Sequence, residues 1–256
     1  MLHVHSLPVL TTPQELAGGV VVVIDVLRAS TTITHALIAG AASVVPCLEI
    51  EDARATAAKL AAAGPVVLGG ERGGLPIEGF DLGNSPAGCT PESVGGKTLV
   101  FTTTNGTLAM ARCRQAARVL IGSFVNRGAV GLRLQAARAG GKSVHLLCAG
   151  TGGKVTREDV LFAGSLVDLL VGADEEAWDL NDQAILAGDA WRQALARGMR
   201  ESTLNETVAR ELRRTQGGRN LKRIGLDADI QDAAQVDRFD LVPELFLSEW
   251  AIRAAV

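Results

Sequence analysis

Short apolar runs that switch into polar turns rich in glycine or hydroxyls recur along this chain. The clearest stretch is VVVVIDVLRASTTITHA, Val20 to Ala36. Val20 to Ile24 form an unbroken β-branched run, short enough for a strand buried on both faces. Asp25 closes the run, Arg28, Ser30, Thr31 and Thr32 crowd the turn, and Ile33, Ala36 and Leu37 return at helical spacing. A buried strand thus leads through a polar turn into a helix N-terminus. In open α/β sheets ligands bind at such carboxyl ends. Free N–H groups and the positive dipole end of a helix suit an anion. The turn is therefore expected to hold a phosphorylated substrate, with Asp25 facing a metal ion and Arg28 facing the phosphate.

The same grammar returns twice. Lys97 to Thr102 reads as a strand, followed by Thr103, Thr104, Asn105 and Gly106 and a helix from near Thr107. Hydroxyls and a glycine at such a turn suit a phosphate cradle, and they equally suit simple helix capping. Lys142 to Cys148 is a further strand, ending in the turn Gly150, Thr151, Gly152, Gly153. The next helix carries Glu158 and Asp159 early, ahead of the apolar face Phe162, Leu166, Leu169 and Leu170. The helix dipole favours acids there, so neither is a ligand by position alone.

Between these units, Ser43 to Leu48 reads as a strand and Glu51 to Ala63 as a helix stopped by Gly64 and Pro65. Val66 to Leu68 is a short buried strand. It runs into Gly69–Pro86, where six glycines and two prolines rule out regular structure. Glu71, Arg72, Asp81, Asn84 and Ser85 are interleaved there. A solvent-exposed connector is the plain alternative, but a glycine-rich loop after a buried strand that carries oxygen ligands reads better as part of a site. His3 and His5 share one side of a first strand, where surface positions are expected in preference to metal ligation. Gly217 to Asn220 reads as a loop, with Arg219, Asn220 and Lys222 able to add positive charge to the pocket. Leu241, Val242 and Pro243 read as an edge strand closed by proline.

Strands alternating with helices argue a three-layer α/β/α fold with a mainly parallel or mixed sheet. Residues 1–256 are expected to form one domain, and the repeated unit leaves open two fused halves near 1–122 and 123–256. The composition is that of a globular chain, 47% hydrophobic and poor in aromatics. A net charge of −3 gives no basic field for nucleic acid, so an anion must rely on placed arginines. No apolar run is long enough for a membrane span and the opening MLHVHSLPVL lacks the charged n-region of a signal peptide, so a cytoplasmic location is expected. Cys47, Cys89, Cys113 and Cys148 form no C-x-x-C pair, which argues against zinc or a disulfide framework.

Known phosphate motifs fail on inspection. The Gly96-Lys97-Thr98 and Gly141-Lys142-Ser143 triplets lack the glycine a P-loop needs, having Pro91 and Ala136 there, and each precedes a strand. An aspartate-nucleophile phosphatase would want an acid two residues after Asp25, where Leu27 stands. A cysteine phosphatase would want arginine where Lys154 follows Cys148. What survives is oxygen-ligand chemistry. Asp25, Glu71, Asp81, Asn84, Glu158 and Asp159 are hard ligands of the kind Mg²⁺ takes, and Arg28 and Arg72 are the candidates to donate hydrogen bonds to the phosphate.

Four segments taken together resemble the 2-phosphosulfolactate phosphatases, the ComB family. They are IDVLRASTTI (Ile24 to Ile33), GERGGLPIEGFDLGNSP (Gly70 to Pro86), FTTTNGT (Phe101 to Thr107) and CAGTGGKVTREDVLFAG (Cys148 to Gly164), with a similar tail from Gly217 to Pro243. The resemblance implies a Mg²⁺-dependent phosphatase that converts (R)-2-phospho-3-sulfolactate to 3-sulfolactate and phosphate in coenzyme M biosynthesis. It also implies an α/β/α fold and a homodimer. Residues in the matching motifs give a candidate catalytic set of Asp25, Arg28, Glu71 and Cys148, although Cys148 reads chemically as a small packed residue rather than a nucleophile. Arg28, Ser30, Thr31, Arg72, Thr103, Thr104, Asn105, Gly150 and Gly152 are the expected substrate contacts. Two alternatives stand beside this. One is a phosphatase for another small phosphorylated hydroxy acid. The other is a non-catalytic anion-binding protein, against which the carboxylates beside the arginines argue.

Overall fold

The computed structural model describes residues 1–172, 178–198 and 202–255. In chain order its elements are β1 (Leu2–His5), β2 (Val20–Ile24), α1 (Ala29–Ile38), β3 (Ser43–Cys47), α2 (Ile50–Leu60), β4 (Val66–Arg72), β5 (Leu75–Pro76), α3 (Pro91–Val94), β6 (Thr98–Thr102) and α4 (Gly106–Arg112). There follow β7 (Arg118–Gly122), α5 (Arg127–Ala139), β8 (Val144–Cys148), α6 (Arg157–Val171), α7 (Asp182–Gly198), α8 (Leu204–Arg214), α9 (Gln216–Arg223), α10 (Asp227–Ala233), β9 (Pro243–Phe246) and β10 (Ala251–Ala254).

The strands form one mixed ten-stranded sheet in the order β1-β8-β2-β7-β9-β10-β3-β6-β4-β5. Two parallel blocks, β1-β8-β2-β7 and β3-β6-β4, are joined by the antiparallel hairpin β9-β10. The blocks therefore run in opposite directions. Each strand step adds a twist of roughly 20–25°, so β2 and β6, five places apart, are turned well past a right angle. That turn lets loops leaving oppositely directed strands meet.

Alternation along β2 divides its apolar run between two cores. Val20, Val22 and Ile24 face one with Phe162 and Leu166, while Val21 and Val23 face the other with Ile33 and Met110. Helices α5, α6 and α7 cover the first face, and α1 and α4 the second. A third cluster seats α2 on β3 and β6 through Ala53, Ala57, Cys47 and Val100. This is the expected three-layer arrangement. Among the described residues no helix is long and apolar enough to cross a membrane.

Four expectations are corrected. Gly69–Pro86 is not wholly irregular, because β4 continues through Gly69, Gly70 and Glu71 to Arg72 and turns back as β5. Gly70 tolerates this only as glycine: its φ is +149° and a Cβ would lie 2.1 Å from the Thr102 carbonyl oxygen. Gly217 to Asn220 is helix, not loop. Pro243 opens β9 rather than closing a strand, and β9 lies inside the sheet between β7 and β10. Proline is tolerated at the first position of a strand. Finally, His5 is buried and His3 half-buried, because both stack with His145 of β8 at ring-centroid distances of 5.4 and 5.0 Å.

Candidate active site

The turn from β2 into α1 is folded by its own side chains. The Asp25 amide donates to Ser30 Oγ at 2.9 Å, and the Ser30 and Thr31 hydroxyls donate to the carbonyls of Val23 and Val26. Ser30 and Thr31 are thus consumed inside the turn and do not line the cavity it borders. Asp25 does. Its Oδ1 accepts from the Ala29 amide at 3.2 Å, capping the first turn of α1, while Oδ2 accepts no hydrogen bond. Oδ2 lies against Gly106 at the start of α4, where any Cβ would approach it to 2.9 Å.

The cavity has a volume of about 270 Å³ and is walled by turns from both blocks of the sheet. Glu71, at the end of β4, accepts from the Thr104 amide and hydroxyl on Oε1 and from the Gly74 amide on Oε2, at 2.9, 3.0 and 2.7 Å. Gly74 in turn accepts from Arg28 Nη2 at 2.8 Å. Glu71 therefore fixes the loop that positions Arg28. Arg28 Nη1 is ion-paired with Asp229 of α10 at 2.7 Å, both side chains almost wholly buried, and Ser85 donates to the other Asp229 oxygen at 2.6 Å. Asn105 accepts from the Gly152 amide at 3.0 Å, which ties the β6 turn to the β8 turn. Asn84 completes this wall, its Oδ1 buried without a hydrogen-bond partner.

Of the expected site residues, Asp25, Arg28, Glu71, Asn84, Thr104, Asn105 and Gly152 meet around this cavity. Arg72 does not. It is adjacent to Glu71 on a strand and so points to the opposite face, where it donates to the Leu48 carbonyl and Thr102 Oγ1. Asp81 lies outside too, exposed and accepting from the Leu68 amide midway along β4. Thr103 is buried behind the wall, and Gly150 serves the β8 turn at φ +65° beside Leu7.

Asp159 is a clamp. Its Oδ1 accepts from the Val26 amide, and its Oδ2 from the Gly150 amide and Thr156 hydroxyl, all within 3.0 Å. It thereby joins the ends of β2 and β8 to the start of α6. Glu158 lies beneath α9 with Oε2 unpartnered. Cys148 is fully buried, and burial together with Asp159 and Glu158 pushes its thiol well up, which suits packing and not nucleophilic attack.

Burial also pushes the Asp25 carboxyl up to about 7, reinforced by the negative charges of Glu71 and Glu158 and opposed by the Ala29 amide. Asp159 is raised by burial and by Asp25 and Glu158. Such a carboxyl, with one oxygen uncommitted in a cavity, is the pattern of a functional acid.

A divalent ion can be tested against this donor set. Among the described residues, no group of three His, Cys, Asp or Glu side chains is arranged to hold a metal. The six-oxygen set expected from the sequence is thus not assembled. What the cavity does offer is a free carboxylate oxygen on Asp25 and an orphaned amide oxygen on Asn84. Hard oxygens in that number fit Mg²⁺, which keeps several waters and takes one or two carboxylates.

Sequence reasoning missed Asp229 on α10 and Arg223 on α9. The apolar signal that could have placed them is the spacing of Leu221, Ile224 and Ile230, which turns α9 and α10 toward the core. Arg219 and Lys222 are exposed and do not line the cavity. Gly217, Leu221 and Ile224 face it at helical spacing, which turns Arg219 and Lys222 outward.

Fold and site together define an α/β protein with a strand-end cavity lined by carboxylate, amide and guanidinium side chains. The family model described as 2-phosphosulpholactate phosphatase matches residues 6–246, and the chain belongs to that family. It is similar to the probable 2-phosphosulfolactate phosphatase of Synechococcus sp. (strain CC9605), at 40% identity over 235 residues and 90% of each chain. The protein of the same name from Symbiobacterium thermophilum is 38% identical over 90% of this chain and 92% of its own. That from Caldanaerobacter subterraneus subsp. tengcongensis is 38% identical over 91% and 90%.

Proposed function

We propose that this protein is a phosphatase that hydrolyses 2-phosphosulfolactate to 3-sulfolactate and phosphate, uses Mg²⁺, and serves coenzyme M biosynthesis. The observation that carries the reading is the meeting, in one cavity, of two uncommitted oxygens, on Asp25 and Asn84, with the guanidinium of Arg28. A purely anion-binding pocket gains nothing from a carboxylate with a free oxygen. The names of the relatives supply the substrate.

Asp25 and Asn84 would hold the ion. When bound, Mg²⁺ neutralises phosphoryl charge and makes water a better nucleophile. Arg28 keeps N–H groups beyond those given to Asp229 and Gly74, and these donate to phosphoryl oxygens as charge gathers there in the transition state. Asn105 uses its oxygen on Gly152 and keeps its Nδ2 for the substrate. Glu71 orders Thr104 and Gly74, so that both turns are rigid before substrate arrives. Asp25 titrates near neutrality without an ion, so proton and cation compete for it, and the ion is held more tightly as pH rises.

Phosphate release measured over a panel of phosphorylated hydroxy acids, with Mg²⁺ and after chelation, tests this. The highest kcat/KM should fall on 2-phosphosulfolactate and vanish with the metal. No release from that compound would overturn the reading.

A further inference from the structure

We propose that Arg223 is the residue that reads the sulfonate of the substrate, and so sets the preference for sulfonated over plain phosphorylated hydroxy acids. The inference rests on the phosphatase reading above and goes beyond it by assigning a second anion site. Among the described residues only two cationic side chains line the cavity, Arg28 and Arg223. Arg28 is buried, and its charge is met at 2.7 Å by Asp229. Arg223 lines the cavity from the exposed end of α9, forms no ion pair with any described carboxylate, and donates only to Asn220 Oδ1. It is therefore the unneutralised cation of the site.

Its helix is seated to carry that charge. Thr215 caps α9 by accepting from the Gly218 amide at 3.1 Å. Gly217 lets α9 press onto α6, since a Cβ there would lie 2.1 Å from Glu158 Oε1. Gly218 does the same against α8, where a Cβ would lie 2.0 Å from the Leu212 carbonyl oxygen. Arg223 then ends a helix held close to the cavity, with Asn220 orienting its fork.

The substrate chemistry says which anion reaches it. The phosphate is carried on C2 and, on the phosphatase reading, goes to the buried Asp25 and Arg28. The carboxylate carbon is bonded directly to C2, whereas the sulfonate sulfur is one bond further out, on C3. The farther group meets the outer arginine. A sulfonate stays ionised at all relevant pH and presents oxygens that a planar guanidinium can grip with two N–H groups.

The test compares kcat/KM for 2-phosphosulfolactate and 2-phospholactate, which lacks the sulfonate, in wild type, Arg223→Gln and Arg223→Lys. Wild type should favour the sulfonated compound. Arg223→Gln should cut that ratio by about 10- to 100-fold, chiefly through KM, and Arg223→Lys should restore part of it. An unchanged ratio in Arg223→Gln, including an equal loss on both substrates, overturns the assignment and leaves the phosphatase reading standing. Failure of wild type to hydrolyse the sulfonated compound overturns both.

Discussion

At the β1 edge of the sheet, His5 and His145 are buried and hydrogen-bonded, and the half-buried His3 stacks on both. His5 Nε2 and His145 Nδ1 are 3.1 Å apart, and His145 Nε2 meets Ser143 Oγ at 3.0 Å. The cavity at the end of β2 buries polar groups just as deeply but leaves them open, with Asp25 Oδ2 free and Asn84 Oδ1 orphaned. Both clusters carry shifted titrations, so a shift alone separates nothing. What separates them is closure. A buried group left unpaired costs roughly 1–3 kcal/mol, a cost that a ligand-binding site offsets only when the ligand is present.

The largest test of this contrast is Asp25→Asn. It should lower kcat by about 10²- to 10⁴-fold while the fold gains stability. The sign follows from the raised carboxyl: the folded state prefers Asp25 protonated, so its ionisation weakens folding as pH rises from the ordinary carboxylate range through about 7. The variant should therefore melt above wild type at pH 8, with the gap closing toward pH 4, as thermal unfolding across pH would read.

Next comes the Arg28–Asp229 pair. Asp229→Ala leaves a buried guanidinium unpaired and should cost about 3–5 kcal/mol in chemical denaturation, with activity lost because Arg28 is no longer held. The double change Arg28→Met with Asp229→Leu should recover much of the stability and none of the activity.

The histidine corner should respond to acid and not to substrate. Burial lowers His5 and His145 to about 4. Neutral rings are favoured in the fold, so stability is complete above about 6.5 and is lost as pH falls from there to about 4. A fall in Tm on the order of 5–10 °C is expected over that window, and the double variant His5→Leu, His145→Leu should flatten it. Smallest is Cys148→Ala. Removal of one packed sulfur should cost about 1 kcal/mol and leave kcat within about twofold, whereas a thousandfold loss would make Cys148 a nucleophile after all.

Much of this was legible in the chain because local pattern and tertiary need agree there. The run Val20–Ile24 reads as doubly buried and divides between two cores, and the three strand–turn–helix units supply Asp25, Thr104, Asn105 and Gly152 to one cavity. The failures have physical causes. Gly217 and Gly218 suggested a loop because glycine disfavours helix, yet each serves close helix packing that no local rule reveals. Arg72 and Glu71 are neighbours in a stretch that reads as a loop, and the strand that forms there sends them to opposite faces. Asp81 and Asp159 carry the right chemistry but spend it on backbone amides. Asp229 pairs with a residue some two hundred positions earlier, a contact only the folded chain makes.

The most direct measurement is the Mg²⁺ concentration for half-maximal phosphate release, taken at several pH values between 6 and 8 in wild type and in Asp25→Asn. Competition between proton and cation for Asp25 predicts that the wild-type midpoint tightens steadily as pH rises, while the variant needs far more metal and shows no such trend. Superimposable midpoints in the two proteins would contradict the account.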